Sequence, residues 1–192
     1  RCAAKFFLDN GLTNKTKLIA DCLGGSMTLT ILDNDQVEVN LGTNYSDVTS
    51  HLLGIDGLPH KIHAITTGNH HGVCIVTDLS QTPIEAWGQI LTKHPIFPNQ
   101  ANISFIKINN RNHIEMRVYE RGVGLTLACG SAACAAVLVG QKLNLLDSNI
   151  KVSFLHGDLT IAVDPHNHSL SMTGPTSNVY IGRFRIDRKS VV

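Results

Sequence analysis

Residues 128–140, ACGSAACAAVLVG, run without a charged or aromatic side chain. Alanine is the strongest helix former, so this stretch predicts a closely packing helix from about Ser131 to Leu143. The start of that helix is unusual. Cys129 stands where the helix begins, behind a charged pair, Glu120-Arg121, and glycines at 122, 124 and 130.

The rest of the chain reads mainly as strands. KLIADCL (17–23), SMTLTIL (26–32) and QVEVNLG (36–42) alternate polar and apolar residues, broken by Gly24-Gly25 and by the turn sequence DND at 33–35. KIHAIT (61–66) and GVCIV (72–76) are two further strands, with TGNHH between them as a loop. NISFIKI and HIEMRVYE form a hairpin across NNRN, and four more strands are expected near 150–155, 158–163, 168–172 and 178–184. Two other helices are expected. RCAAKFFLDNGL shares an apolar face among Cys2, Phe6 and Phe7, with Gly11 at its C-cap. TPIEAWGQILTKH has Thr82 as N-cap, Pro83 at the first helical position and Pro95 as its stop. Strands dominate, so the class is α+β with a mostly antiparallel sheet.

An internal echo adds to this. RCAAKFFLDNGL at the start resembles ACAAVLVGQKLNLL at 133–146, and paired strands follow each. The chain reads as two copies of one unit, the first cut short.

Composition excludes several classes. Hydrophobic residues make up 43% and charged residues 16%, a folded balance, and the net charge of +1 argues against a general nucleic-acid binder, which needs a basic face. No apolar run reaches the roughly 18 residues of a membrane span, and the cytoplasm is the expected compartment. The five scattered cysteines form no CxxC pair and read as reduced thiols. Among ten histidines, His70-His71 and His166-Asn167-His168 are weak metal patterns, so no metal is expected; the second follows Pro165 and reads as a solvated turn.

A helix N-terminus has free N–H groups and partial positive charge, which favours an anion. Two anions fit here: the Cys129 thiolate, with Glu120 upstream to take its proton, and a substrate carboxylate on the N–H groups of Gly130 and Ser131. Cys129 and Cys134 also fit as small buried residues on an alanine helix.

The stretch YERGVGLTLACGSAACAA resembles the second-half signature of the diaminopimelate epimerase family. TTGNHHGVCIV resembles its GNPH segment, HPIFPNQANISFIKI its FP-to-NV segment, and MTGPTSNVYIGRF its closing segment, all in the family's order. The resemblance implies two pseudo-symmetric halves, each a mostly antiparallel sheet around a central helix, with the site in the cleft between them. Residues 1–33 and 175–192 would be the remainder of the first half, and 34–174 the second. It implies interconversion of LL- and meso-diaminopimelate, for lysine and peptidoglycan precursor synthesis, without pyridoxal phosphate or metal. One thiolate removes the α-proton and a thiol on the opposite face returns one.

Carried over by position, the resemblance makes Cys129, Glu120 and His71 catalytic. It makes Asn69, Asn102, Glu120, Arg121, Gly130 and Ser131 substrate-binding. The family's CGNGxRC aligns its last two letters with Arg1-Cys2, so the first catalytic cysteine would lie six positions before Cys2. The sequence then reads as a fragment whose partner is the missing N-terminal segment of the same protein, inactive alone; a homodimer is left open.

Three positions depart from the family pattern. His70 replaces a proline, Leu125 a glutamate, and Ala132 a glycine whose loss is expected to narrow the approach to the carboxylate. Other functions remain in play: a related racemase or isomerase of the same fold, a cysteine-nucleophile enzyme pairing Cys129 with His71, and a non-catalytic binding module.

Overall fold

The structure is a computed structural model and describes residues 1–22 and 25–183. The elements run α1 (Cys2–Asp9), β1 (Lys17–Cys22), β2 (Gly25–Ile31), β3 (Gln36–Gly42), β4 (Thr49–Ile55), β5 (Leu58–Thr66) and β6 (His70–Ile75). They continue α2 (Ile84–Leu91), β7 (Asn102–Asn110), β8 (His113–Glu120), β9 (Gly124–Thr126), α3 (Gly130–Lys142), β10 (Asn149–Phe154), β11 (Gly157–Val163) and β12 (Leu170–Pro175).

One twelve-stranded sheet holds them together, in the order β1-β2-β3-β12-β11-β10-β8-β7-β6-β5-β4, with β9 added on β8. Among the described residues, pairing is antiparallel except at β6–β7 and β8–β10. Each parallel pair is joined through a helix, α2 for the first and α3 for the second, because parallel strands need a long crossover. The α+β class and its mostly antiparallel sheet are therefore as the sequence indicated.

α3 is the centre of the larger core. Every residue from Ala132 to Gly140 is buried, as expected of a helix that is apolar all round. Strands β5, β6, β7, β11 and β12 all contact it. Its small side chains allow that close approach: a Cβ on Gly140 would overlap Leu146. A second core under α2 holds Leu91, Phe97, Ile103 and Phe105. A third, smaller one holds Ala4 of α1 with Leu29, Val37 and Val39 of β2 and β3.

Turn chemistry fixes two hairpins. Asn34 and Asp35 take φ of 56° and 58°, and Asp56 and Gly57 take 52° and 76°, the left-handed pairs that suit a two-residue hairpin loop. α1 ends with Gly11 at φ +66° while the Leu12 N–H bonds Phe7 O at 2.9 Å. α3 ends in the same way, with Asn144 at φ 57° and the Leu145 N–H on Gly140 O at 2.8 Å.

The structure differs from the sequence reading at several elements. β4 and β9 were not expected. The loop 67–71 is shorter than expected, since His70 and His71 already belong to β6. Thr82 does not cap α2: its hydroxyl donates to Asp78 O at 2.6 Å, and Pro83 occupies the cap position. The helix stops at Leu91, four residues before Pro95. Residues 178–183 form no strand. Thr176 N–H still reaches Asp35 O at 2.9 Å, but β3 begins at Gln36, so past Pro175 the ladder has no partner left. Gly24 and the end of that expected strand at 184 lie outside the described residues.

Candidate active site

Three neighbouring strand ends and one helix start build the site. β6 and β7 pair with His71 opposite Asn102, and β7 and β8 pair with Ile103 opposite Tyr119. His71, Asn102 and Glu120 therefore stand side by side at one end of these three neighbouring strands. The chain then turns through β9, which folds back on β8 with Gly124 opposite Glu120. This turn delivers Cys129 to the start of α3.

Cys129 is the N-cap of α3, half-buried, with extended backbone (φ −146°, ψ 116°). Its Sγ lies 3.5 Å from Ser131 Oγ. Burial pushes this thiol above its ordinary range; Ser131 and the Ala132 N–H pull it back, and the Glu120 carboxylate raises it again. The balance is upward. Desolvation is the largest of these influences, and the Glu120 carboxylate lies beside the thiol. Glu120 is itself oriented by Thr126, whose hydroxyl donates to Oε1 at 2.5 Å.

The first two N–H groups of a helix have no intrahelical acceptor, so those of Gly130 and Ser131 are available to a ligand. A Cβ added at Gly130 would come within 2.7 Å of Met172 Sδ, so a larger residue there would require the flexible Met172 side chain to shift. Ser131 borders a cavity of about 200 Å³ whose other walls include Met27, Tyr45, Gly68 and Met172. That cavity links the helix start to the loop leading into Asn69.

The polar groups on the strand side are held by one another. His71 is fully buried, and its Nε2 lies 3.0 Å from Asn69 Oδ1. Burial, with a smaller push from His70, lowers its pKa to about 4. Asn102 accepts the Arg121 N–H on Oδ1 at 2.9 Å, and the Arg121 guanidinium donates to Asn99 O at 2.7 Å. His71 thus spends its donor on Asn69 rather than on Cys129. Cys129 faces Glu120 and Ser131, so the structure gives the thiol a carboxylate neighbour in place of the imidazole that a cysteine hydrolase would use.

Thr126, Asn99 and Met172 were not singled out in the sequence. Thr126 had one signal: it stands on GLT, where a strand pairing back on β8 would place it near Glu120. The three departures also find their places. His70 opens β6, with Nδ1 3.2 Å from Thr66 Oγ1. Leu125 is 52% exposed in the middle of β9. Ala132 is fully buried within the α3 core.

A cysteine at the mouth of a buried helix, in one large mixed sheet, places the molecule in a known architectural class. A probable proline racemase from Agrobacterium radiobacter K84 superposes with a TM-score of 0.67 at 12% identity, covering 99% of this chain and 67% of that one. A PhzF-family phenazine biosynthesis protein from Bacillus anthracis gives 0.62 at 16%, covering 88% and 69%. These likenesses establish the fold. The family profile of diaminopimelate epimerase matches residues 63–179. Diaminopimelate epimerase from Ralstonia pickettii is 38% identical, with 97% of this chain and 70% of that protein aligned. The enzyme from Cupriavidus taiwanensis is 36% identical over 95% and 69%. The chain belongs to the diaminopimelate epimerase family.

Proposed function

We propose that this chain is an amino-acid epimerase acting on diaminopimelate, exchanging the α-proton of one stereocentre between two thiols. Family membership supports the substrate, and the thiol-carboxylate arrangement supports the chemistry. The observation that carries it is Cys129 at the N-cap of α3, against Glu120, with two uncommitted N–H groups beside it.

The α-proton of an amino acid is weakly acidic, so its removal needs a strong base and a stabilised carbanion. Glu120 takes the proton from Cys129, and the resulting thiolate is basic because burial has raised its pKa. The thiolate removes the α-proton on one face. The N–H groups of Gly130 and Ser131 hold the α-carboxylate while negative charge develops on it. Asn69, Asn102 and Arg121 hold the rest of the substrate. In the opposite direction the Cys129 thiol delivers a proton to the carbanion.

Inversion requires a second thiol on the far face. Cys74 and Cys134 are buried, with thiols pushed up to about 12, and Cys2 and Cys22 are exposed. We assign the second thiol to sequence outside these 192 residues and expect them alone not to epimerise. The reaction belongs in the cytoplasm, where thiols stay reduced. Among the described residues no helix is long and apolar enough to cross a membrane.

The test is solvent exchange in D₂O. The complete protein is incubated with LL-diaminopimelate and the α-proton NMR signal is followed, beside Cys129→Ser. Exchange with inversion, abolished in the variant, is the expected result. Exchange that persists in Cys129→Ser would refute the assignment.

A further inference from the structure

Resting on the epimerase reading, we infer that Thr126 is a positioning residue for proton transfer: its hydroxyl ties the Glu120 carboxylate to the strand that leads into Cys129, so that carboxylate and thiol are held as one unit. The Thr126 hydroxyl donates to Glu120 Oε1 at 2.5 Å, the short end of the range for a hydroxyl on a carboxylate. Cys129 follows three residues later, and its thiol lies beside the same carboxylate.

Strand register makes this contact. β9 pairs with β8 so that Val118 is opposite Thr126, Tyr119 opposite Leu125 and Glu120 opposite Gly124. Side chains alternate between the two faces, so Val118, Glu120 and Thr126 share one face and Tyr119 and Leu125 the other. Gly124 has no side chain to place directly opposite Glu120, and the diagonal neighbour, Thr126, reaches its carboxylate instead. The backbone between them is tightly folded: the Val123 N–H bonds Glu120 O at 3.2 Å, and Gly122 and Gly124 take φ of 76° and 99°. Leu125 departs from the family pattern on the opposite face, so the change there leaves the bond from Thr126 to Glu120 in place.

A base works only from the correct position. Glu120 is half-buried at the end of β8, and a glutamate there has a long, rotamer-rich side chain that can turn to water unless it is anchored. The Thr126 hydroxyl supplies that anchor. β9 runs only from Gly124 to Thr126, so the bond also crosses the turn that delivers the thiol. Loss of the hydroxyl lets the carboxylate drift from Cys129 while the substrate-holding groups stay where they are. Thr126 thus acts through Glu120, on the proton-transfer step and not on binding.

The experiment has two arms, both on the complete protein. The first compares Thr126→Val, which keeps the shape without the hydroxyl, with Thr126→Ala and with Thr126→Ser, which keeps the hydroxyl. With LL-diaminopimelate, kcat should fall about tenfold in Thr126→Val and Thr126→Ala with KM within about twofold, and Thr126→Ser should stay close to wild type. Adding Thr126→Val to Glu120→Gln should cost less than about twofold more, because the anchored carboxylate is already gone. An equal loss in both backgrounds, a rise in KM in place of the fall in kcat, or a Thr126→Ser variant as slow as Thr126→Val overturns the inference. The second arm labels Cys129 with iodoacetamide and needs no turnover. With the carboxylate released, Thr126→Val should label about threefold faster than wild type, and the difference should vanish in the Glu120→Gln background. Unchanged labelling in Thr126→Val overturns the inference. Failure of the wild-type protein to turn over diaminopimelate would strike the epimerase reading alone, and the labelling would still decide the role of Thr126.

Discussion

Two helices of this molecule, α1 and α3, share the motif cysteine-alanine-alanine and end in the same left-handed turn, yet their surroundings are opposites. α3 buries every residue from Ala132 to Gly140 among strands on several sides. α1 buries Ala4 and rests on β2 and β3, with Phe6 and Phe7 about half exposed. Beside it an apolar hollow of about 290 Å³ is lined by Ala3, Phe7, Leu18, Ile19 and Leu29. Sequence similarity sets the local form of both helices, in which Cys2 corresponds to the buried Cys134 and not to the Cys129 thiol. Cys129 has a carboxylate, a hydroxyl and a helix end around it, whereas Cys2 is exposed.

The contrast can be broken first at the two cysteines. In the complete protein, Cys129→Ser should lower kcat/KM by roughly a thousandfold or more, while Cys2→Ser changes it by less than about twofold. A large loss in Cys2→Ser would mean that α1 also supplies a reacting group. Glu120→Gln comes next. It should slow epimerisation by about a hundredfold. The same change removes a negative neighbour that raises the Cys129 pKa, so iodoacetamide should label Cys129 faster at neutral pH. Slower labelling would show that the Glu120 charge is not what holds the resting thiol protonated.

A buried titratable group distinguishes the α3 side as well. His71 titrates near 4 when folded and near 6.5 when unfolded, so between those values the unfolded chain binds more protons. Stability is full above about 6.5 and is lost as pH falls toward 4, by about 3 kcal/mol in all. Urea unfolding of wild type and His71→Gln across this window should show that difference, and parallel curves would contradict it. Packing gives a smaller effect. Ala135→Leu should cost about 1–3 kcal/mol by overfilling the α3 core, against under about 0.5 for Ala3→Leu on α1. Equal costs would mean that Ala3 is covered in solution. The smallest test exchanges the caps. Gly11→Asn and Asn144→Gly should each shift stability by less than about 1 kcal/mol, because both residues tolerate the left-handed turn. A larger loss in either would show that the two ends are not equivalent.

The sequence exposed α3 because an uncharged, alanine-rich run leaves few alternatives, and it exposed the β7–β8 hairpin because NNRN separates two apolar-rich runs, the second of which alternates cleanly. β4 escaped for an energetic reason: as an edge strand with Leu52 exposed it lacks a sharp two-sided pattern. Its turn, Asp56-Gly57, was a usable signal that passed unread. Residue types at the site were visible through the family resemblance, but their alignment was not. Whether His71 meets Asn102 or a residue one step away is a matter of strand register, which the pleat converts into opposite faces. Helical phase hid Ala132 in the same way, because its position in the first turn, and not its identity, turns the methyl inward. The bond from His71 to Asn69 joins residues two apart across a loop-to-strand transition, and no periodicity predicts it.

Met172 belongs at once to the core around α3 and to the cluster around α1, and its sulfur rests over Gly130. It sits on β12, which pairs with β3 and so joins the α1 side of the sheet to the α3 side. In mechanical terms it is a bearing: an unbranched, deformable side chain at the seam where the two parts of the sheet meet. The opening turn of α3, where the two free N–H groups stand, therefore rests on a side chain anchored in both parts of the sheet.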